Sequence, residues 1–104
     1  MSLDRQKIQE IIDTIAQGVT PSRIFLFGSH ARGAAHSMSD LDLLVIANMP
    51  MPQRERRLLI RSLFARPDFS MDLFVLTEEE FKRQRKIPNT IARTVDREGV
   101  VVYE

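Results

Sequence analysis

The chain has 104 residues, of which 43% are hydrophobic and 28% charged, with a formal net charge of +1. This is the balance of one small globular domain, so residues 1–104 are interpreted as a single domain. The near-zero net charge argues against a dedicated nucleic-acid binder, and the absence of cysteine excludes disulfides, thiolate nucleophiles and thiolate zinc sites.

The first residues lack the apolar core of a signal peptide. No apolar run approaches the roughly 20 residues that a membrane-spanning helix requires. We therefore expect a cytoplasmic protein without a membrane attachment.

The first predicted element is an amphipathic helix over roughly residues 3–17. Its apolar positions recur at helical spacing, at Ile8, Ile11, Ile12 and Ile15. Gly18 follows and fits the C-terminal stop of this helix.

A buried strand and a second, branched strand come next. The apolar run at residues 24–27 predicts the buried strand, which ends abruptly at Gly28-Ser29. A short helix over residues 31–35 and a polar connector at residues 37–39 are expected to follow. Residues 40–46 are rich in branched side chains and predict the second strand.

The second half of the chain alternates in the same way. Residues 53–65 predict a helix and residues 69–76 a third strand. Thr77 and Glu80 have the spacing of a capping box, so a helix is expected to start there. A further helical segment to about Arg97 precedes a last short strand at residues 100–103. The order predicts an α/β or α+β fold, with a small mixed sheet flanked by helices.

The turn at Gly28-Ser29 is the first candidate for a binding site. Glycine lets the backbone turn sharply and approach a ligand closely, and the hydroxyl of Ser29 can donate to a phosphate oxygen. Gly28 and Gly33 have the glycine spacing of a P-loop, but Ala34 stands where that motif has its lysine. Arg32 could supply some positive charge, and metal ions would supply most of it.

Three aspartates form the second candidate. Asp40 and Asp42 are two residues apart in a predicted strand, so their carboxylates project from one face. Leu41, Leu43 and Val45 mark the opposite, buried face. Asp72 lies within the apolar run of the third strand, where a lone carboxylate would be costly to bury.

If the two strands are neighbours, these carboxylates cluster and repel one another, which cations relieve. Oxygen ligands of this kind suit Mg²⁺, with Mn²⁺ as a substitute. Such a cluster fits two-metal phosphoryl chemistry.

Together, Gly28-Ser29, Ala31-Arg32-Gly33, Ser39-Asp40 and Asp42-Leu43 with Val45 resemble the signature of the polymerase-beta-like nucleotidyltransferase superfamily. The chain is most similar to its minimal nucleotidyltransferases. The resemblance implies that Gly28 and Ser29 bind the phosphates of ATP. It also implies that Asp40, Asp42 and Asp72 hold the metal ions, with Asp72 helping to activate the incoming hydroxyl. His30 departs from the family, in which a basic residue such as arginine is common.

The same resemblance implies a helical partner protein of the HEPN type. In such toxin–antitoxin pairs the small domain is the antitoxin and transfers AMP from ATP to a tyrosine of the toxin. There are two alternatives. The chain could be a non-catalytic antitoxin that acts by binding alone, or it could transfer a nucleotide to RNA or a small molecule with a partner subunit. Because a domain of this size can enclose little, a partner chain or a homo-oligomer is expected to complete the site.

Ordinary structural roles compete with several of these assignments. Asp40 could serve as a cap or turn residue after Ser39. Arg32 could hold its loop through backbone hydrogen bonds as readily as it contacts substrate. The arginines of the predicted helix 53–65 are expected to form a solvated face, namely Arg54, Arg56, Arg57 and Arg61.

Overall fold

The computed structural model describes residues 3–35 and 39–104. The predicted connector at residues 37–39 therefore lies outside the described residues, apart from Ser39. The first elements are, in chain order, α1 (Arg5–Val19), β1 (Arg23–Phe27), α2 (Gly28–Ala31) and β2 (Leu41–Ile46). They are followed by α3 (Gln53–Arg61), β3 (Met71–Leu76), α4 (Glu78–Gln84), α5 (Ile91–Glu98) and β4 (Val100–Tyr103).

The strands form one mixed sheet in the order β3-β2-β1-β4. β1 pairs antiparallel with both β2 and β4, and β2 pairs parallel with β3. The helix α3 is the crossover connection from β2 to β3. The predicted α+β fold with a small mixed sheet is confirmed. Within the described ranges, no helix combines the length and apolar character needed to span a membrane.

Both faces of the sheet are covered by helices. Leu41, Leu43 and Val45 of β2 face a core that includes residues of α1 and α3. Leu44 and Ile46 face a second core with α4 and α5, around Phe81, Ala92 and Val95. Asp42 and Asp72 stand at the N-terminal ends of their strands, on the face of this second core. The strand pattern therefore leaves the carboxylates at one end of a sheet that is buried elsewhere.

Three predicted helix boundaries are wrong, one of them the end of α3, which lies at Arg61 rather than at residue 65. α1 continues through Gly18 to Val19 and ends at Thr20, which takes a left-handed conformation with φ of 48°. Gly18 instead makes room for Leu63, whose side chain occupies the space that a β-carbon would need. α2 starts at Gly28 rather than at residue 31, because the positive φ of Gly28, 73°, turns the chain directly out of β1.

The capping box that begins α4 is confirmed. The side chain of Thr77 accepts from the amide of Glu80 at 3.1 Å, and the Glu80 carboxylate accepts from the amide of Thr77 at 2.8 Å. Glu80 has a second partner, because its Oε1 also accepts from Nη1 of Arg56 at 2.7 Å.

The expectation of a solvated basic face is wrong for Arg56, which is buried. Its guanidinium donates to the carbonyl oxygens of Met49 and Val75, at 2.9 and 3.2 Å, as well as to Glu80. A buried cation is stabilised when every donor finds an acceptor of this kind. Arg56 therefore joins α3 to β3 and to the start of α4.

Candidate active site

Asp42 and Asp72 occupy paired positions in the parallel strands β2 and β3. Residues paired in this way project from the same face of the sheet, with strands about 4.8 Å apart. The two carboxyl groups are close enough to share a hydrogen bond. The predicted meeting of these two side chains is thus present in the structure.

Burial raises the pKa of Asp42 above its ordinary value of 3.8. The neighbouring charge of Asp72, its hydrogen bond to Asp42 and the charge of Asp40 raise this pKa further, while His30 acts in the opposite direction. A carboxyl group that resists ionisation because other carboxylates surround it is one that a cation would relieve.

Asp40 lies just before β2 and is exposed, rather than being the first strand residue as predicted. Its charge reaches Asp42, but its side chain is not held in the ladder of the sheet. In the part of the chain that the structure describes, no three carboxylate, imidazole or thiol groups are already arranged to hold a metal ion. Two converging oxygen ligands, from Asp42 and Asp72, fit a hard divalent cation, and Asp40 as the third ligand stays a prediction.

Gly28 packs directly against Asp42. Phe27, the last residue of β1, is paired with Asp42 across the sheet, and Gly28 then turns into α2. A β-carbon on Gly28 would overlap Oδ2 of Asp42 and lie 2.9 Å from its Cγ. The glycine therefore brings the start of α2 beside the carboxylates.

Ser29 and Arg32 flank this turn. Ser29 is half-buried in α2, and its carbonyl oxygen accepts from the amide of Ala34 at 2.9 Å. The amide of Arg32 donates to the carbonyl oxygen of Gly28 at 3.2 Å, while the residue itself is exposed. Across residues 3–35 and 39–104, the Arg32 guanidinium forms no ion pair with Asp72. Any residue at position 32 would make this main-chain bond, so the loop-holding role of Arg32 and its contact with a nucleotide both stay predictions.

His30 is a half-buried residue of α2 beside the candidate site, to which the sequence pattern assigns no role. Its Nε2 lies 3.4 Å from the carbonyl oxygen of Ser39, a hydrogen bond that requires a proton on this nitrogen. His30 thereby joins α2 to the segment that carries Asp40. Its position directly after Gly28-Ser29 was the available signal, but the pairing with residue 39 depends on the path of the intervening chain.

A family model described as a nucleotidyltransferase domain matches residues 5–101 of the chain. A relative from Methanocaldococcus jannaschii, named as a candidate protein adenylyltransferase, is 38% identical over 68 residues. That alignment covers 59% of this chain and 46% of the relative, so the chain spans less than half of the relative's length.

Two solved structures have the same fold. A candidate nucleotidyltransferase from Sulfolobus solfataricus superposes with a TM-score of 0.61 and 24% identity, over 90% of this chain and 74% of that one. A chain from a crystal structure of a toxin–antitoxin with AMP-PNP gives a TM-score of 0.59 and 22% identity, over 91% and 72%. Since the family model covers nearly the whole sequence, the chain belongs to the nucleotidyltransferase domain family.

Proposed function

We propose that this domain transfers AMP from ATP to a hydroxyl group of a partner protein, with Mg²⁺ or Mn²⁺ held by Asp40, Asp42 and Asp72. The observation that carries the proposal is the pairing of Asp42 with Asp72, with Gly28 packed against Asp42. Membership of the family supports nucleotidyl transfer, and the name of the Methanocaldococcus relative supports protein adenylylation.

The carboxylates fit a divalent cation on chemical grounds. Asp42 and Asp72 face each other across the paired strands, and the pKa of Asp42 is raised first by burial and then by the neighbouring Asp72 and Asp40. Asp40 is exposed directly before β2, from which it can join them without disturbing the sheet. When bound, the cation would offset the charge of the phosphates and of the leaving pyrophosphate.

The nucleotide is proposed to lie across the turn between β1 and α2. Gly28 offers backbone without a side chain beside the carboxylates, and the hydroxyl of Ser29 can donate to a phosphate oxygen. The exposed guanidinium of Arg32 adds a positive charge. The bound AMP-PNP named for the toxin–antitoxin neighbour supports ATP as the substrate.

In the proposed step, the acceptor oxygen forms a bond to the α-phosphorus and the bond from the α-phosphorus to the bridging oxygen breaks. Pyrophosphate leaves, and the carboxylate of Asp72 takes up the hydroxyl proton. Asp72 is exposed on the outermost strand of the sheet, so an acceptor can reach it from solvent. The proposed acceptor is a tyrosine of a helical HEPN-type toxin, a partnership that the toxin–antitoxin neighbour supports.

Calorimetric titration with ATP tests the metal requirement. We expect ATP to bind in the presence of Mg²⁺ or Mn²⁺ and to lose its affinity when EDTA is added. Equal binding with and without the chelator would refute the role given to the carboxylates.

Transfer itself is tested with ATP labelled on the α-phosphate and the protein encoded by the neighbouring gene. Asp42→Ala is expected to abolish labelling of that protein while the domain stays folded by circular dichroism. Asp96→Ala, which removes an exposed carboxylate from α5, is the matched control and should label at the wild-type rate. Labelling of the partner protein by Asp42→Ala would refute the role assigned to Asp42.

A further inference from the structure

Side chains of α3 bind outward-facing backbone groups near both ends of the edge strand β3. Near its end, Oε1 of Gln53 accepts from the amide of Val75 at 2.8 Å, and the same side chain donates to the Val75 carbonyl oxygen. At its beginning, Nη2 of Arg61 donates to the carbonyl oxygen of Met71 at 2.9 Å. α3 therefore holds both ends of β3, which is an edge strand paired with β2.

The hydrogen bond from Arg61 to the Met71 carbonyl oxygen matters because Asp72 is the next residue. On the inner side, the start of β3 is held by the amide of Leu41, which donates to the carbonyl oxygen of Ser70 at 2.9 Å. Asp42, in contrast, lies in β2, which is paired on both sides. Of the two facing carboxylates, Asp72 is therefore the one whose position depends on how well a strand end is held.

We propose that Arg61 is a positioning residue that keeps Asp72 opposite Asp42 by holding the Met71 carbonyl oxygen. What Asp72 does once positioned rests on the function proposed above. Arg61 is itself exposed, so its hydrogen bond adds little to global stability. Its effect is local, since it fixes the peptide directly before the carboxylate.

Two effects of removing Arg61 have opposite signs. Loss of a positive charge from the domain can only favour the binding of a cation. Loss of the hydrogen bond would let Asp72 move away from Asp42 and would weaken that binding. The direction of the change in cation affinity therefore separates a positioning role from a purely electrostatic one.

The experiment measures Mn²⁺ affinity by electron paramagnetic resonance. We expect Arg61→Ala to bind Mn²⁺ roughly 2- to 10-fold more weakly, the range that one hydrogen bond supports, and Arg61→Lys to recover part of the loss. Arg54→Ala removes the same charge from an exposed position near the start of α3 and should not weaken binding. Gln53→Ala removes the two Gln53 hydrogen bonds to Val75, which lies about 10 Å along the strand from Asp72 and keeps its hydrogen bond from Arg56, and should leave the affinity unchanged.

Affinity in Arg61→Ala equal to or tighter than that of the wild type would overturn the proposal. If the wild type binds no Mn²⁺, the metal-dependent function fails, and amide hydrogen exchange then decides about Arg61. Faster exchange at the Asp72 amide in Arg61→Ala, with unchanged exchange in Arg54→Ala, would support positioning. Unchanged exchange in both variants would refute it.

Discussion

Gly28 and Asp42 are in such close contact that no side chain fits between them. A β-carbon on Gly28 would overlap the Oδ2 position of Asp42, and the residue also has a positive φ of 73°. Glycine is thus required here twice, once by its backbone conformation and once by the space that the carboxylate fills. The turn proposed to bind phosphate and the Asp42 carboxylate are consequently one structural unit.

Gly28→Ala should therefore lower the free energy of unfolding by more than the left-handed backbone conformation alone accounts for. Gly33 is the matched control, because its φ of 71° is nearly the same and a β-carbon there would meet nothing within 4 Å. We expect Gly33→Ala to lower the free energy of unfolding by about 1 kcal/mol. Gly28→Ala should lose more than this and should also lose ATP binding, since Asp42 must move. Urea unfolding and calorimetry would check both, and equal losses in the two variants would contradict the clash.

Asp42→Asn is expected to stabilise the fold while removing the function. The pKa of Asp42 is raised by burial and by the charges of Asp72 and Asp40, so its ionised form is disfavoured in the folded protein. Asparagine has the same shape without this charge. At pH 7 the variant should therefore have the larger free energy of unfolding and bind ATP with Mg²⁺ more weakly than the wild type.

The pH dependence of that difference provides the check. A carboxyl group with a raised folded-state pKa destabilises the protein above that pKa, and the penalty disappears below the unfolded value of 3.8. The advantage of Asp42→Asn in urea unfolding should accordingly shrink on acidification. A variant less stable than the wild type at pH 7 would show that repulsion does not dominate at this site.

Much of the site could be predicted because strand alternation carries information about faces. Leu41, Leu43 and Val45 mark one buried face, which leaves Asp42 on the other side of its strand. Asp72 lies within an apolar run, and this likewise indicates that its carboxylate faces other polar groups. The pairing itself depended on β3 lying parallel beside β2, which local patterns alone do not determine.

The residues for which prediction from the sequence fails depend on contacts between distant segments. Arg56 has the sequence environment of its exposed neighbours, yet Met49, Val75 and Glu80 supply acceptors that permit burial. Gly18 has the position of a helix stop, yet Leu63 from a later segment packs against it. Neither contact can be predicted from the local hydrophobic periodicity of the sequence.

Arg56→Ala should be strongly destabilising. The substitution leaves the Glu80 carboxylate without its charged partner and removes the hydrogen bonds to two carbonyl oxygens. Breaking a pair of this kind costs about 3 kcal/mol. Arg54→Ala, at an exposed position of the same helix, should change stability little. Similar denaturation midpoints for the two variants would mean that the buried network does not hold α3 to β3.

Glu80 gives this network a defined dependence on acid. The hydrogen bond from Arg56 holds the pKa of Glu80 below its ordinary value of 4.5. The ionised group therefore contributes stability that is fully present above pH 4.5 and is lost as the pH falls through the lower folded-state pKa. Glu80→Gln can still accept from Thr77 but carries no charge. We expect the wild type to be more stable than this variant at pH 7, and the difference to vanish in acid. Urea unfolding of both proteins between pH 7 and pH 3 measures it, and a constant difference over that range would show that the charge of Glu80 is not what stabilises the fold.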